Sequence, residues 1–237
     1  SLDHLEGYRG YGPVRVGNVA YTHDQHDVYG EVVLALAPLF YDARLLGAEL
    51  EPVYEAIERL VTISTRSFEL PDAGLWEYRG RTAHHVFSKF MAWVAVDRAC
   101  KIASRAGHAQ QATGWRQEAD RMKKDLLAKG YSKKVGSFVE AYGSTDLDAS
   151  VLLMPILGFL PMDDERITAT IDTMRERLVT EGLMFRYRHP DDFGEPSSAF
   201  TICSSWMVEA LWLAGHRDEA REMFVALLAT GPSAIPV

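Results

Sequence analysis

Residues 85–129 read HVFSKFMAWVAVDRACKIASRAGHAQQATGWRQEADRMKKDLLAK, and the contrast between the two halves of this stretch decides the fold. The first half, His85–Arg105, sets Phe87, Met91, Val94 and Ala95 at helical spacing and is strongly apolar. The second, Ala112–Lys129, is amphipathic, with Trp115, Ala119, Met122 and Leu126 inward and charged residues elsewhere. Gly107 falls between them, where a helix C-cap belongs. A buried helix followed by a half-exposed one makes a hairpin with an inner and an outer member.

The same alternation extends in both directions. Periodicity predicts helices over His23–Leu46, Leu50–Ser67, Leu147–Leu160, Asp164–Thr180, Ser198–Gly215 and Asp218–Thr230 as well. The first, third, fifth and seventh helices in chain order are more apolar than the others. This is a weak internal repeat of roughly 50 residues. Curving such hairpins produces a toroid or solenoid of two concentric layers, in which loops at one end of the inner helices converge on a common hollow. Strand signals are sparse, although 136–140 and 183–188 have the composition of short extended turns. No linker or low-complexity tract interrupts the chain, so residues 1–237 read as one all-α domain.

Composition narrows the function. The formal net charge of -8 argues against a nucleic-acid partner or an anionic membrane surface, both of which need a basic face. No stretch approaches the ~18 apolar residues of a membrane-spanning helix. Cys100 and Cys203 show no metal or redox spacing; they read as buried free thiols, which fits a reducing cytoplasm.

Four segments between helices concentrate aromatic and charged residues: 7–27, 75–89, 140–148 and 184–200. Trp and Tyr beside carboxylates and arginines suit a carbohydrate site, where rings stack on sugar C–H faces and charged groups bond hydroxyls. The alternative is ordinary loop polarity with aromatics anchoring helix ends. Glu77 lies between Trp76 and Tyr78, and aromatic neighbours that desolvate a carboxyl raise its pKa, as a general acid requires. The competing reading is a surface glutamate paired with Arg79. His23, His26 and Asp27 share a helix face, but no third ligand stands at a telling spacing, so a metal site is the weaker reading. Asp191 and Asp192 with Arg186 and Arg188 form a charged knot, either a salt-bridged loop or an arginine fork for sugar hydroxyls.

Five ordered motifs, GYRGYGPVRVGNVAYTHDQHDVYGE, LWEYRG, HHVFSKFMAWVAVDRA, YGSTDLDAS and FRYRHPDDFGEPSSAFTICSSW, resemble glycoside hydrolase family 15. That family includes glucoamylases, glucodextranases and some bacterial trehalases. The resemblance runs from about Gly7 to Leu228. It implies an α/α toroid of six helical hairpins and inverting hydrolysis of a terminal α-glucosidic bond, with no cofactor. By the same resemblance Glu77 matches the general acid and Trp76 the aromatic beside it. Arg186 matches a substrate-binding arginine. Asp148, Asn18, Gln25 and Asp27 match polar, substrate-binding positions around the site, and Ser88 and Lys89 match the family's Ser-Lys pair, which places Lys89 at the substrate as well. His23 stands where the family pattern has Gln.

The resemblance also implies a second carboxylate, the general base, on a segment after the last helix, and the tail GPSAIPV contains no carboxylate side chain. Eight helices do not close a ring of twelve. The expectation is a partial catalytic domain, inactive or weakly active alone. Its open edge would favour a homo-oligomer or a complementing chain. The competing class is a non-catalytic carbohydrate-binding or regulatory toroid; a plain helical scaffold is a third.

Overall fold

The computed structural model describes residues 1–17, 19–45, 50–192 and 194–229. The described helices are α1 (Asp27–Leu36), the single turn α2 (Pro38–Tyr41), α3 (Leu50–Ser67), α4 (Val86–Ala106), α5 (Ala109–Lys129), the single turn α6 (Leu153–Ile156), α7 (Glu165–Leu178), α8 (Thr201–Leu213) and α9 (Arg217–Ala229). Two antiparallel pairs of two-residue strands join helices. β1 (Tyr131–Ser132) pairs with β2 (Ser137–Phe138), and β3 (Val179–Thr180) with β4 (Leu183–Met184).

The helices form two layers. α1, α4, the segment 149–156 and α8 make an inner row in which α4 packs against α1 and the 149–152 turn, and α8 against the same turn and α6. α3, α5, α7 and α9 flank them outside. This is an arc of an α/α toroid, as the alternating apolarity predicts. α4 is apolar round its circumference because it is covered on all sides: every residue from Val86 to Asp97 is buried. Phe90, Trp93, Phe138 and Phe159 meet edge-on or stacked at its centre. Each such large side chain removed from water contributes about 1.5–3 kcal/mol. Gly30 lets α1 lie against α4, since a Cβ there would fall 2.0 Å from the Met91 carbonyl oxygen. α4 ends at Gly107, whose φ of 86° is the left-handed cap expected of it.

The outer helices bury single stripes. α5 buries Ala112, Ala119, Met122 and Leu126, with Trp115 half-buried; α7 buries Ile167, Ile171, Met174 and Leu178. Both thiols are buried and free.

Two predicted helices are broken up. The helix expected over His23–Leu46 is irregular up to His26, then α1, α2 and a 3-10 turn at Ala43–Leu45; its Leu46 end lies outside the described residues. Asp72 takes the His26 backbone N–H, which pulls the chain out of helical register before Asp27, and Pro38 starts a new turn. The apolar run Leu147–Leu160 is buried as expected, but Asp148 caps a 3-10 turn and Pro155 and Gly158 confine α6 to one turn. Thr230, the expected end of the last helix, also lies outside the described residues.

Candidate functional site

Residues 72–83 leave the outer layer and return to the head of α4 as a closed loop. Asp72 and Ala83 close its base by exchanging backbone hydrogen bonds of 2.9 and 3.0 Å. The entry to α1 supports it from below. The Ala73 N–H donates to the Asp24 carbonyl, Gln25 Nε2 to the Gly74 carbonyl at 3.2 Å, and the His26 N–H to Asp72 Oδ2 at 2.9 Å. Glu77 stands at the tip, exposed, with φ of 56°. A left-handed backbone at a residue other than glycine is strained and persists only where its surroundings hold it.

Those surroundings are polar contacts to three distant segments. Trp76 donates its indole N–H to Asp148 Oδ2 at 2.8 Å, and its ring meets Tyr187 and Phe200 edge-on. The Arg186 guanidinium lies 5.8 Å from the Trp76 ring centre and pairs with Asp191 at 2.7 Å, which also accepts from the Tyr187 hydroxyl. The Arg79 N–H donates to Asp192 Oδ2 at 2.7 Å. Arg81 donates to Glu140 Oε1 at 2.5 Å. The flanking aromatics therefore turn into the protein and do not enclose Glu77. A cleft of about 350 Å³, lined by Arg186, Asp191, Glu195, Ser197, Ser198 and Phe200, opens beside Trp76. Larger hollows of 750 and 620 Å³ lie between α4 and α5 and between α8 and α9, away from these carboxylates.

Beneath the loop is a buried polar layer: His26, Asp27, Asp72, His85, Ser88 and Lys89 are all under a tenth exposed. Several of their side-chain atoms, including His26 Nδ1, Asp27 Oδ1, Asp72 Oδ1 and Ser88 Oγ, have no protein partner. Burial, reinforced by Glu31 and Asp72, pushes the Asp27 carboxyl up to about 7. Burial pulls the Lys89 ammonium down to about 8 against the attraction of Asp72. It also lowers His26 and His85. Asp148 is raised to about 6 by burial, opposed by its bonds from Ser150 and Trp76.

The structure thus gathers Trp76, Glu77, Asp148 and Arg186 at one rim and places Gln25 and Asp27 behind them. Lys89, expected at the substrate, is 1% exposed and holds the carbonyls of Ser67 and Leu70 at the end of α3. Asn18 lies outside the described residues. Tyr8, Tyr11 and Tyr21 of the first aromatic segment are exposed and line no described cleft. Of the charged knot, Arg186–Asp191 forms, whereas Arg188 turns to Thr180 and Phe185. Sequence reasoning missed Asp72, Glu140 and His189, whose only signal was membership of the charged aromatic segments or their edges, and saw Tyr78 only as a neighbour of Glu77. Among the described residues one trio, Glu140, Asp146 and His189, brings metal-ligand atoms within 4.8 Å, and the Arg81 guanidinium already occupies it, 3.1 Å from His189 Nε2. The trio expected to be the weaker reading, His23, His26 and Asp27, does not converge.

Paired helices curved into an arc, with loops gathered above the inner row, define the α/α-toroid class of fold. The family model of Glycosyl hydrolases family 15 matches residues 1–231, and the chain belongs to that family. It is 38% identical to a trehalase of Mycobacterium tuberculosis over 96% of this chain and 33% of that protein. It is 34% identical to a trehalase of Thermoplasma volcanium over 94% of this chain and 36% of that one. The chain therefore spans about a third of the length of these relatives. A glycosidase variant solved with glucose superposes with a TM-score of 0.72 at 20% identity, over 90% of this chain and 56% of that one. A bacterial glucoamylase complexed with acarbose gives 0.58 at 15%, over 84% and 35%. No described helix is long and apolar enough to cross a membrane.

Proposed function

We propose that this chain is the acid-bearing part of an inverting hydrolase of terminal α-glucosidic bonds, and that trehalose is its substrate. The observation that carries the reading is Glu77, exposed at the tip of a loop tied to three other segments, beside the Trp76–Arg186 rim. The trehalase names of relatives at 34–38% identity support the substrate. Glu77 protonates the leaving glycosidic oxygen. Trp76 offers its ring to a sugar face, and Arg186 donates to hydroxyls from the cleft.

Inversion requires a second carboxylate ~6.5–9.5 Å from the acid to activate water on the opposite sugar face. The carboxylates that hold the loop are already engaged: Asp148 by Trp76 and Ser150, Asp191 by Arg186 and Tyr187, Asp192 by the Arg79 N–H, Glu140 by Arg81. Glu195, in the wall of the cleft, is not among them; it is by the family resemblance that we place the base on a segment after the last helix, outside residues 1–237. The exposed apolar side chains of α1 and α8, among them Val28, Val32, Ile202 and Trp212, are the faces that further helices or a second chain would cover.

The test is glucose release from trehalose, with maltose and isomaltose as comparators, by the full-length protein and its Glu77→Gln variant. Loss of a general acid lowers kcat by ~10²–10⁴. Residues 1–237 alone should release little or none. Turnover that survives in Glu77→Gln would remove Glu77 as the acid. Calorimetric binding of trehalose with no turnover by the full-length protein would favour the non-catalytic sugar-binding module.

A further inference from the structure

Glu140 is 2% exposed, although a buried carboxylate is costly unless paired. Its backbone is fully engaged. The carbonyl accepts the Val86 N–H at the head of α4, and its own N–H donates to the Asp146 carbonyl. Its carboxylate receives Arg81 Nη2 at 2.5 Å and faces His189 Nε2 at 3.3 Å. Both partners then converge on Tyr78. The Arg81 guanidinium lies 4.0 Å from the centre of the Tyr78 ring, and the Tyr78 hydroxyl is 3.3 Å from His189 Nε2. The same ring stacks on His85, at 5.5 Å and 17°. Tyr78 is 3% exposed and follows Glu77 directly, and its N–H closes the turn on the Ala73 carbonyl at 3.1 Å.

We propose that Glu140 is a positioning residue: through Arg81 and His189 it clamps Tyr78, and the clamped Tyr78 fixes the left-handed turn that presents Glu77. The inference rests on Glu77 being the acid. An apolar residue would fill the Glu140 position, but it would leave Arg81 and His189 without the anion that draws them onto the ring. Freed of the clamp, the turn relaxes toward less strained backbone, and a displacement of about 1 Å at a catalytic group lowers turnover by up to ~10²-fold.

The experiment compares Glu140→Gln with wild type in the full-length protein by two readouts: steady-state kinetics on trehalose and amide hydrogen exchange by mass spectrometry. Expected are a kcat lowered about 10-fold or more with KM changed less than about 3-fold, and faster exchange in the peptide spanning 75–81. Peptides from α4 and α5 should keep wild-type protection. Unchanged exchange at 75–81 together with unchanged kcat would overturn the clamp. So would faster exchange spread evenly over α4 and α5, because Glu140 would then serve stability alone. Should Glu140→Gln fail to accumulate as folded protein, Arg81→Lys keeps the charge but removes the planar group over Tyr78, and it must move the same readouts in the same direction. Glu77→Gln is measured alongside. If it retains turnover while Glu140→Gln still loosens 75–81, the acid assignment fails and the clamp stands.

Discussion

The loop 72–83 runs directly into α4, yet the two are held by opposite means. α4 is fixed by close packing of Phe90, Met91, Trp93 and Val94 against rings and aliphatic chains on every side. The loop is fixed by directional bonds from single groups: its own Asp72 holds the His26 N–H, and Asp148, Asp192 and Glu140 each hold one donor of it. Packing is non-directional and shared among many contacts, so one loss is felt as stability. A polar tether is specific, so one loss is felt as position.

Substitutions on either side of the junction test that division. The largest effect on stability belongs to the packed side. Phe90→Ala should cost about 3–5 kcal/mol in chemical denaturation by opening a cavity among Trp93, Phe87 and Phe159. A cost under about 1 kcal/mol would show that α4 is not held by close packing round Phe90.

The next effect is on the polar layer, and its sign depends on pH. Asp27 has an ordinary carboxyl pKa of 3.8 when unfolded and about 7 when folded. Between those values the unfolded chain ionises while the folded one holds its proton. Asp27 therefore makes stability fall as pH rises from about 4 to about 7, and the penalty is complete above that. Asp27→Asn should raise stability at pH 8 relative to wild type, by at most about 4 kcal/mol, and by much less near pH 4. Denaturation of both proteins at the two pH values checks this; a constant difference would contradict the buried, proton-holding Asp27.

The smallest effect is on a single tether. Asp148→Asn leaves either the Trp76 indole, or the Ser150 N–H and hydroxyl that share Oδ1, without their acceptor. About 1–3 kcal/mol of stability should be lost. KM for trehalose should rise, because Trp76 is no longer fixed beside Arg186. An unaltered KM would show that the tether is a cap for the 149–152 turn and nothing more.

The two regions were also unequally legible in the sequence. α3, α4, α5, α7, α8 and α9 were readable because amphipathic or all-round apolar periodicity is a local property. The stretches 23–46 and 147–160 were misread as single helices because apolar spacing does not register a distant acceptor such as Asp72, or a proline and glycine that halt a buried run. At the site, Trp76, Glu77 and Arg186 stood out by their neighbours in sequence. Glu140 and His189 did not, since their partners Arg81 and Tyr78 are 59 and 111 residues away along the chain. The surroundings of Lys89 were unreadable for the same reason: its carbonyl partners at the end of α3 are a tertiary fact.

The left-handed turn at Glu77 carries a consequence for descent. Glycine or asparagine would relax there, and drift toward stability alone would favour either at the expense of the carboxylate. A lineage that keeps glutamate on that backbone is selecting against its own fold at one position, so a loss-of-function relative should be recognisable by a small, turn-compatible residue at 77 while the tethers around it persist.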